Sequence, residues 1–374
     1  MPVTSEQQKK ERLWPEHELV RQIKCIHGEA EVLVDFDPRL DYGRASPKIK
    51  DCGELGWQID TGRSLFILRG KLGSIRRDCQ GLSGKIKLKA GETLGDLVRE
   101  KLDLTIAWWR DWADQSNYKG RYQRQVMRSA LVLKLLSYAP SGAIVAAPTT
   151  SLPERLGADS NWDYRFAWLR DAAFTVHALF GLGYKADAEA FVDWLLHATR
   201  LTRPKLRVVY DVFGERTPPE RELRYLNGYA NARPVRVGNS ASEQVQLDIY
   251  GDVVEAVSRF VGENQKLDRD MQKFLRQCAQ YVCEHWREPD NGIWEYRDKR
   301  RHYTHSRLMC WVALDRILKM QECGQLSGID MTKCAAERAK IRQEIETRAW
   351  NPALAAYAQA CGSDIIDASV LLMA

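Results

Sequence analysis

One glutamate in the sequence stands among aromatic residues in a setting that could support acid catalysis. In the stretch PDNGIWEYRDK, at 289–299, Glu295 lies between Trp294 and Tyr296 and follows a turn sequence. A carboxyl group that aromatic rings keep partly dry can hold a proton, as a general acid must. Because perturbed carboxyl groups are a minority, a surface glutamate with amphipathic neighbours stays the alternative.

A second stretch, NWDYRFAWLRDAAF at 161–174, combines charged and aromatic side chains. Arg170 and Asp171 supply donors and acceptors that suit sugar hydroxyl groups, and Trp162 and Trp168 are near in sequence. Adjacent residues point to different sides of a helix, so Arg170 and Asp171 are not obviously an ion pair. Structural ion pairs at a helix N-terminus are the alternative interpretation.

A third stretch, QVQLDIYGDVVEA at 244–256, has polar residues in a segment that is otherwise apolar. These are Gln244, Gln246, Asp248 and Tyr250. An ordinary exposed helix face would give the same pattern, so the residues alone leave both interpretations open.

The fourth stretch, RHYTHSRLMCWVALDR at 301–316, contains His302 and His305 three residues apart. Two histidines at this spacing could hold a metal ion, but no third ligand is in view, so we expect no metal site. A serine hydrolase is equally unsupported because the chain has no GxSxG sequence.

Two patterns of hydrophobic residues predict the strands and helices that must position these stretches. Up to about residue 90, short alternating runs such as AEVLVDF, with Val32, Val34 and Phe36 on one face, predict an antiparallel β-sandwich. From about residue 92 the spacing becomes helical. Ser240 and Glu243 predict a capping box that starts a helix over 243–261, and DIIDASVLLMA at 364–374 predicts a last helix.

The composition of the chain indicates which classes of binding partner and which cellular compartment to expect. The net charge of +6 is spread thinly and no phosphate-reading motif is present, so nucleic-acid binding is not expected. No apolar run is long enough for a membrane span, and the first residues lack the apolar core of a secretory signal. Nine scattered cysteines without a CxxC pair predict reduced thiols and a cytoplasmic location. The 12 tryptophans are a weak indication of flat ligands such as sugar rings.

The four stretches, in this order and followed by DIIDASVLL, resemble glycoside hydrolase family 15, the glucoamylase-like and trehalase-like bacterial enzymes. FDPRLDYGR near the N-terminus resembles their β-sandwich. The resemblance covers about residues 20–374. It implies a mainly helical chain with a partial N-terminal β-sandwich at 1–90, a linker helix at 91–117 and an incomplete (α/α)6 six-hairpin barrel at 118–374.

The resemblance also implies a reaction and the residues that perform it. Family members hydrolyse α-glucosidic bonds with inversion, which needs one carboxyl group to protonate the leaving oxygen and another to activate water. Glu295 matches the general acid, and Arg170 with Asp171 matches the pair that holds hydroxyl groups of the terminal glucose. The further substrate-binding residues implied are Trp168, Trp162, Trp294, Asp248, Tyr250 and His305. No cofactor and no metal are implied.

The sequence departs from the family pattern at its end. The general base of the family lies well downstream of the DASVLL segment, and this sequence stops at Ala374. We therefore expect a truncated member with impaired activity, which a second polypeptide could complete. The substrates implied are non-reducing ends of an α-1,4-glucan or maltooligosaccharide, or α,α-trehalose. A non-catalytic remnant that binds carbohydrate or a partner is the alternative.

Overall fold

The structure is a computed structural model that describes residues 18–62, 64–70, 74–77, 81–94, 98–261 and 267–373. The chain divides into two compact units, Met1–Asp114 and Gln115–Ala374. The first unit is rich in β-strands and the second in helices. The predicted order of a β region followed by a mainly helical region is confirmed, whereas the boundaries 1–90, 91–117 and 118–374 stay a prediction.

The first unit contains two three-stranded antiparallel sheets, in the orders β2-β7-β6 and β3-β4-β5, and the pair β1-β8. Its strands are β1 (Ile23–Lys24), β2 (Glu29–Phe36), β3 (Lys48–Asp51), β4 (Trp57–Asp60), β5 (Leu65–Leu68), β6 (Ser74–Arg77), β7 (Leu82–Lys89) and β8 (Thr93–Leu94). Its helical segments are a left-handed turn at Leu40–Gly43, a 3-10 turn at Gly53–Leu55 and helix α1 (Val98–Ala113).

Strand β2 shows the alternation that the sequence predicts. Val32, Val34 and Phe36 are partly buried, while Leu33 and Asp35 between them are exposed. In register, Val32 pairs with Ile86 of β7. Successive side chains on a strand point to opposite faces, so one face of β2 can contribute to a core.

The second unit is built from helices with short strand pairs between them. The helices are α2 (Gln123–Leu136), α3 (Leu169–Gly181), α4 (Lys185–Thr199), α5 (Asp248–Val261), α6 (Arg269–His285), α7 (Thr304–Glu322) and α8 (Met331–Glu344), followed by a π-helical turn at Ile345–Ala349. The strand pairs are β9 (Ser137–Tyr138) with β10 (Ala143–Ile144), β11 (Ala167–Trp168) with β12 (Val209–Tyr210), β13 (Arg221–Glu222) with β14 (Arg236–Val237), and β15 (Trp350–Asn351) with β16 (Ala356–Tyr357). Three 3-10 turns lie at Tyr229–Asn231, Ser240–Glu243 and Ala368–Met373. None of the helices that the structure describes has the length and apolar content needed to cross a bilayer.

Helix α5 is central to this unit because it packs against both α3 and α7. Val253, Val254 and Val257 of α5 are fully buried in the main apolar core. At Gly251 the helix comes so close to the backbone of Met309 on α7 that a side chain has no room. The first turns of α3, α5 and α7 lie close together, since Asp248 is 3.9 Å from Arg170 and 3.7 Å from His305.

The predicted helix start at Ser240 and Glu243 is wrong. Residues 240–243 form a 3-10 turn capped by Asn239, whose Oδ1 accepts a hydrogen bond from Ala241 N, and α5 begins only at Asp248. Residues 244–247 stay outside the helix because their amide groups bond to a distant loop. Val245 N donates to Asn291 Oδ1 at 3.1 Å, and Leu247 N donates to Asp290 Oδ2 at 2.9 Å.

The predicted last helix over 364–374 is also wrong. The structure has a six-residue 3-10 turn, Ala368–Met373. The Asp367 side chain accepts from Ser369 N at 2.7 Å, and Ile365 O accepts from Gln359 N at 2.7 Å. Bonds of this kind compete with the i→i−4 pattern of an α-helix, so the segment takes a tighter turn.

Candidate active site

A cavity of about 700 Å³ opens within the second unit. Six of the predicted site residues line it, namely Trp162, Trp168, Arg170, Asp171, Trp294 and Glu295. The other three, Asp248, Tyr250 and His305, are buried and do not line it. Pockets of this size, with a few convergent polar groups among aromatic rings, are typical sites for small ligands.

Glu295 lies at the cavity wall beside two donors from α3 and the strand before it. Its Oε1 accepts from Trp168 Nε1 at 2.7 Å and from Arg170 Nη2 at 3.2 Å. The side chain is 23% exposed. Strand β11 pairs Trp168 with Val209, which fixes the indole directly before α3 begins. The structure therefore places the predicted proton donor next to the Arg170–Asp171 pair.

The backbone at Glu295 is strained. Its φ is +59°, a left-handed conformation that costs a residue with a side chain of the order of 1 kcal/mol or more. Two hydrogen bonds hold this conformation: Glu295 N donates to Gly292 O at 3.0 Å, and Gln244 Nε2 donates to Glu295 O at 2.9 Å. Strain that is held by surrounding contacts is concentrated at functional sites.

The loop that carries Glu295 is anchored at both ends. Asp290 and Arg301 exchange two backbone hydrogen bonds of 2.9 Å. Asn291 Nδ2 donates to Tyr296 O at 2.8 Å. Gly292 has φ +68°, and a Cβ there would lie 2.6 Å from the Tyr303 ring, so glycine is required. The predicted turn is thus a rigid support for the carboxyl group.

Arg170, in the first turn of α3, is surrounded by acceptors. Its Nη1 donates to Gln246 Oε1 at 2.8 Å and lies 3.9 Å from Asp248 Oδ2. Its Nη2 lies 3.3 Å from Asp171 Oδ2, so these neighbours form an ion pair although adjacent residues point to different sides of a helix. Burial alone would lower the pKa of Arg170, but the carboxylates, led by Asp248, outweigh burial and raise it.

The tryptophans form different parts of the wall. Trp168 is buried and packs at a tilt against Tyr164, whereas Trp294 is 54% exposed and donates from Nε1 to Asp367 Oδ2 at 2.7 Å.

Two arginine side chains pack against the ring of Trp162. The guanidinium groups of Arg236 and Arg297 lie over its ring, at 4.4 and 4.0 Å from the centroid, and Arg297 also pairs with Glu220. Trp294 therefore has the greater free aromatic surface for a ligand.

Tyr250 faces away from the cavity. Its hydroxyl group donates to Pro204 O at 3.0 Å and accepts from Leu206 N at 2.9 Å, and its ring stacks on Tyr281. These contacts hold a connecting segment, so we do not retain Tyr250 among the residues proposed to contact substrate.

Asp248 and His305 form a buried polar cluster behind Arg170. His305 Nδ1 lies 3.7 Å from Asp248 Oδ2. Burial lowers the pKa of His305, which favours the neutral ring. Asp290 belongs to the same region, and burial followed by repulsion from Asp248 raises its pKa to about 7. Asp248, His305 and Asp290 are all buried and do not line the cavity.

Sequence reasoning missed several residues that the structure brings to the site. Gln244 and Gln246 hold Glu295 and Arg170, and both were noted in the third stretch without a role. Asp252 and Asp290 are buried, and the pKa of each is raised by burial and then by repulsion from Asp248, so both lie near Asp248. A signal existed for Asp252, since it lies one helical turn after Asp248. Within the described ranges, no group of His, Cys, Asp and Glu is arranged to hold a metal ion.

The family model of Glycosyl hydrolases family 15 matches residues 120–374, which include the whole cavity. The chain belongs to glycosyl hydrolase family 15. This confirms the resemblance that the four motifs carry. The family match covers Glu295, Arg170 and the loop and helices that position them.

Curated relatives and solved structures agree with the family. A trehalase of Mycobacterium tuberculosis is 32% identical over 386 residues, covering 96% of this chain and 56% of the relative. A trehalase of Thermoplasma volcanium is 32% identical over 371 residues, covering 95% and 58%. The chain thus spans just over half the length of these relatives.

A bacterial glucoamylase solved in complex with acarbose has a TM-score of 0.54 at 12% identity, covering 78% of this chain and 43% of that one. At this identity the likeness concerns the fold, and it confirms the predicted glucoamylase-like fold class. The comparisons give no support to a second polypeptide.

Proposed function

We propose that this family 15 chain hydrolyses an α-glucosidic bond, with Glu295 as the proton donor to the departing oxygen. The observation that carries the proposal is the position of the Glu295 carboxyl group, in the cavity wall and within hydrogen-bond distance of Trp168 and Arg170. Arg170 and Asp171 would hold hydroxyl groups of the glucose ring, with Trp294 as an exposed apolar surface.

The hydrogen bonds at Glu295 indicate where its proton would sit. Oε1 accepts from two N–H donors, and Oε2 has no hydrogen-bond partner among the described residues. An oxygen that already accepts two hydrogen bonds is a poor site for a proton, so the proton belongs on Oε2. A glycosidic oxygen in the cavity would receive it from there.

We propose inversion, as the family resemblance implies, with a second carboxylate that activates water from the opposite side of the sugar. We assign no described residue to that role. Asp367, near the cavity, is engaged by Trp294 Nε1, Gln359 Nε2 and Ser369 N, which makes it a structural acceptor.

We propose α,α-trehalose as the first substrate to test, since the relatives above are trehalases, and α-1,4-linked glucose chains as the second. Both substrates present a terminal α-glucose, which one pocket with an arginine, a carboxylate and a tryptophan could hold. We also propose a cytoplasmic location; the eight cysteines in the described part of the chain are free thiols, which supports a reducing compartment.

The test measures glucose release and sugar binding by the 374-residue chain. Trehalose, maltose and starch are supplied to the wild type and to Glu295→Gln. We expect the variant to bind glucose as the wild type does, by tryptophan fluorescence, and to lose about 10²–10⁴-fold in turnover. The matched control is Glu346→Gln, an exposed glutamate that pairs with Arg342, which should change neither.

Each outcome has a distinct meaning. Full turnover by Glu295→Gln would show that another group donates the proton. Cleavage of maltose without cleavage of trehalose would refute trehalose as the substrate and leave the proposed hydrolysis intact. Sugar binding without turnover by the wild type would favour the carbohydrate-binding alternative over hydrolysis.

A further inference from the structure

Four carboxyl groups surround the guanidinium group of Arg170, and two of them lie outside the cavity. Asp171 and Glu295 are in the cavity wall. Asp248 and Asp252 are buried behind it, four residues apart on α5, and therefore on the same face of that helix. The nearest approach of this pair to Arg170 is 3.9 Å, from Asp248 Oδ2 to Nη1.

One buried cation does not balance this many carboxylates. Removing charge from water is costly, and when two carboxyl groups share a buried site one of them keeps its proton. Burial, and then repulsion from Asp248, raises the pKa of Asp252 well above its usual range. Asp248 is nearer to Arg170 than Asp252 is. Among the carboxylates, Asp248 also contributes most to raising the pKa of Arg170. The charge therefore belongs on Asp248 and the proton on Asp252.

We propose that Asp248 is a positioning residue whose negative charge offsets Arg170 and so limits the positive charge that Arg170 presents to Glu295, while Asp252 stays neutral. The inference rests on the proposed role of Glu295, because a proton donor 3.2 Å from a less compensated guanidinium group would lose its proton more readily. It also gives Asp248 a different role from the substrate contact that the resemblance implies.

Among the described residues, the elements packed around Arg170, Asp248 and Asp252 bring few other charged groups to this cluster. The titratable and charged groups around this cluster that the structure describes are His305, Arg307 and Cys310 on α7, Asp290 and Glu295 on the loop, Asp171 on α3, and Tyr164 and Asp367 near the cavity. Burial lowers the pKa of His305 and raises the pKa of Cys310, so both are neutral near pH 7. Asp248 is therefore the main buried charge opposite Arg170.

The test uses Trp168 as a reporter of the protonation of Glu295. Its indole N–H donates to Glu295 Oε1 at 2.7 Å, so its NMR resonance should titrate with that carboxyl group. The resonance is assigned by its loss in Trp168→Phe, and the titration by its loss in Glu295→Gln. In Asp248→Asn, Arg170 loses its buried counter-charge and keeps only the partly exposed Asp171 beside it, and we expect the midpoint to move to lower pH by on the order of one unit.

The matched control is Asp252→Asn, on the same helix face. Because Asp252 is already neutral in the proposal, this variant should leave the midpoint at the wild-type value. An unchanged midpoint in Asp248→Asn, or an equal shift in both variants, would overturn the proposal. A merely structural role for Asp248 would lower stability without a shift in this direction.

A measurement on the unmodified chain covers the case in which a variant fails to fold. Carboxyl ¹³C shifts at pH 7 should show Asp252 protonated and Asp248 ionised; two ionised groups would refute the assignment. Neither NMR measurement depends on turnover. If the shifts are as expected and no sugar is cleaved, the charge arrangement stands and the proposed hydrolysis fails.

Discussion

Replacing Gly251 by alanine would test whether the α5–α7 contact positions the buried part of the site. A Cβ at this position lies 2.3 Å from Met309 O and 2.7 Å from the Met309 carbonyl carbon and Cβ. The oxygen belongs to the backbone of α7 and cannot rotate away. The contact can be relieved only when the two helices move apart, which would shift Asp248 relative to His305.

The size of the effect follows from two opposing contributions. Overpacking a tight contact costs about 1–3 kcal/mol, and a rigid backbone contact belongs at about the upper end. Alanine regains about 1 kcal/mol of helix propensity over glycine. The free energy of unfolding should therefore fall by about 2 kcal/mol, and for a unit of this size each kcal/mol lowers Tm by about 2–4 °C. We expect Tm to fall by about 4–8 °C.

The assay is thermal unfolding followed by circular dichroism at 222 nm. The matched control is Gly181→Ala at the end of α3, where a Cβ meets no atom within 4 Å. The chemical change is the same, so only the helix-propensity gain should remain and Tm should stay equal or rise. If Gly251→Ala melts at or above the temperature of Gly181→Ala, the packing argument is wrong.

Two further predictions concern the site itself. Trp168→Phe removes the N–H donor to Glu295, whose hydrogen bond strengthens as Glu295 gives up its proton and becomes charged. A hydrogen bond to a charged group is worth about 1.5–3 kcal/mol, so turnover should fall about 10- to 100-fold. Trp286→Phe removes a similar donor to Glu337, which does not line the cavity, so it should lower Tm without this loss of turnover. Burial raises the pKa of Asp290 to about 7, so the folded state binds this proton more tightly than the unfolded state does. The free energy of unfolding should therefore fall as pH rises from about 4 to about 7. Calorimetry should show a smaller fall in Asp290→Asn, and equal pH dependence of the two proteins would contradict the burial argument.

Local patterns predicted the features that depend on near neighbours in sequence. The alternation of Val32, Val34 and Phe36 matches the partly buried face of β2. The turn before Glu295 was predicted from its residue types, and Gly292 adopts the left-handed conformation such turns need. The helix prediction at Ser240 failed because backbone amides of 244–247 bond to a distant loop. The helix prediction over 364–374 failed because hydrogen bonds between near neighbours compete with the helical pattern.

The site shows the same division between local and distant effects. The sequence by itself determined the family, the residue types and the order of the motifs, and it singled out Glu295 and Arg170. Tertiary structure alone decided that these two meet, because they lie 125 residues apart in the chain. It also turned Tyr250 away from the cavity and placed Asp252 behind Arg170. Burial and charge depend on what packs around a group, and that is fixed only when helices from separate parts of the chain come together.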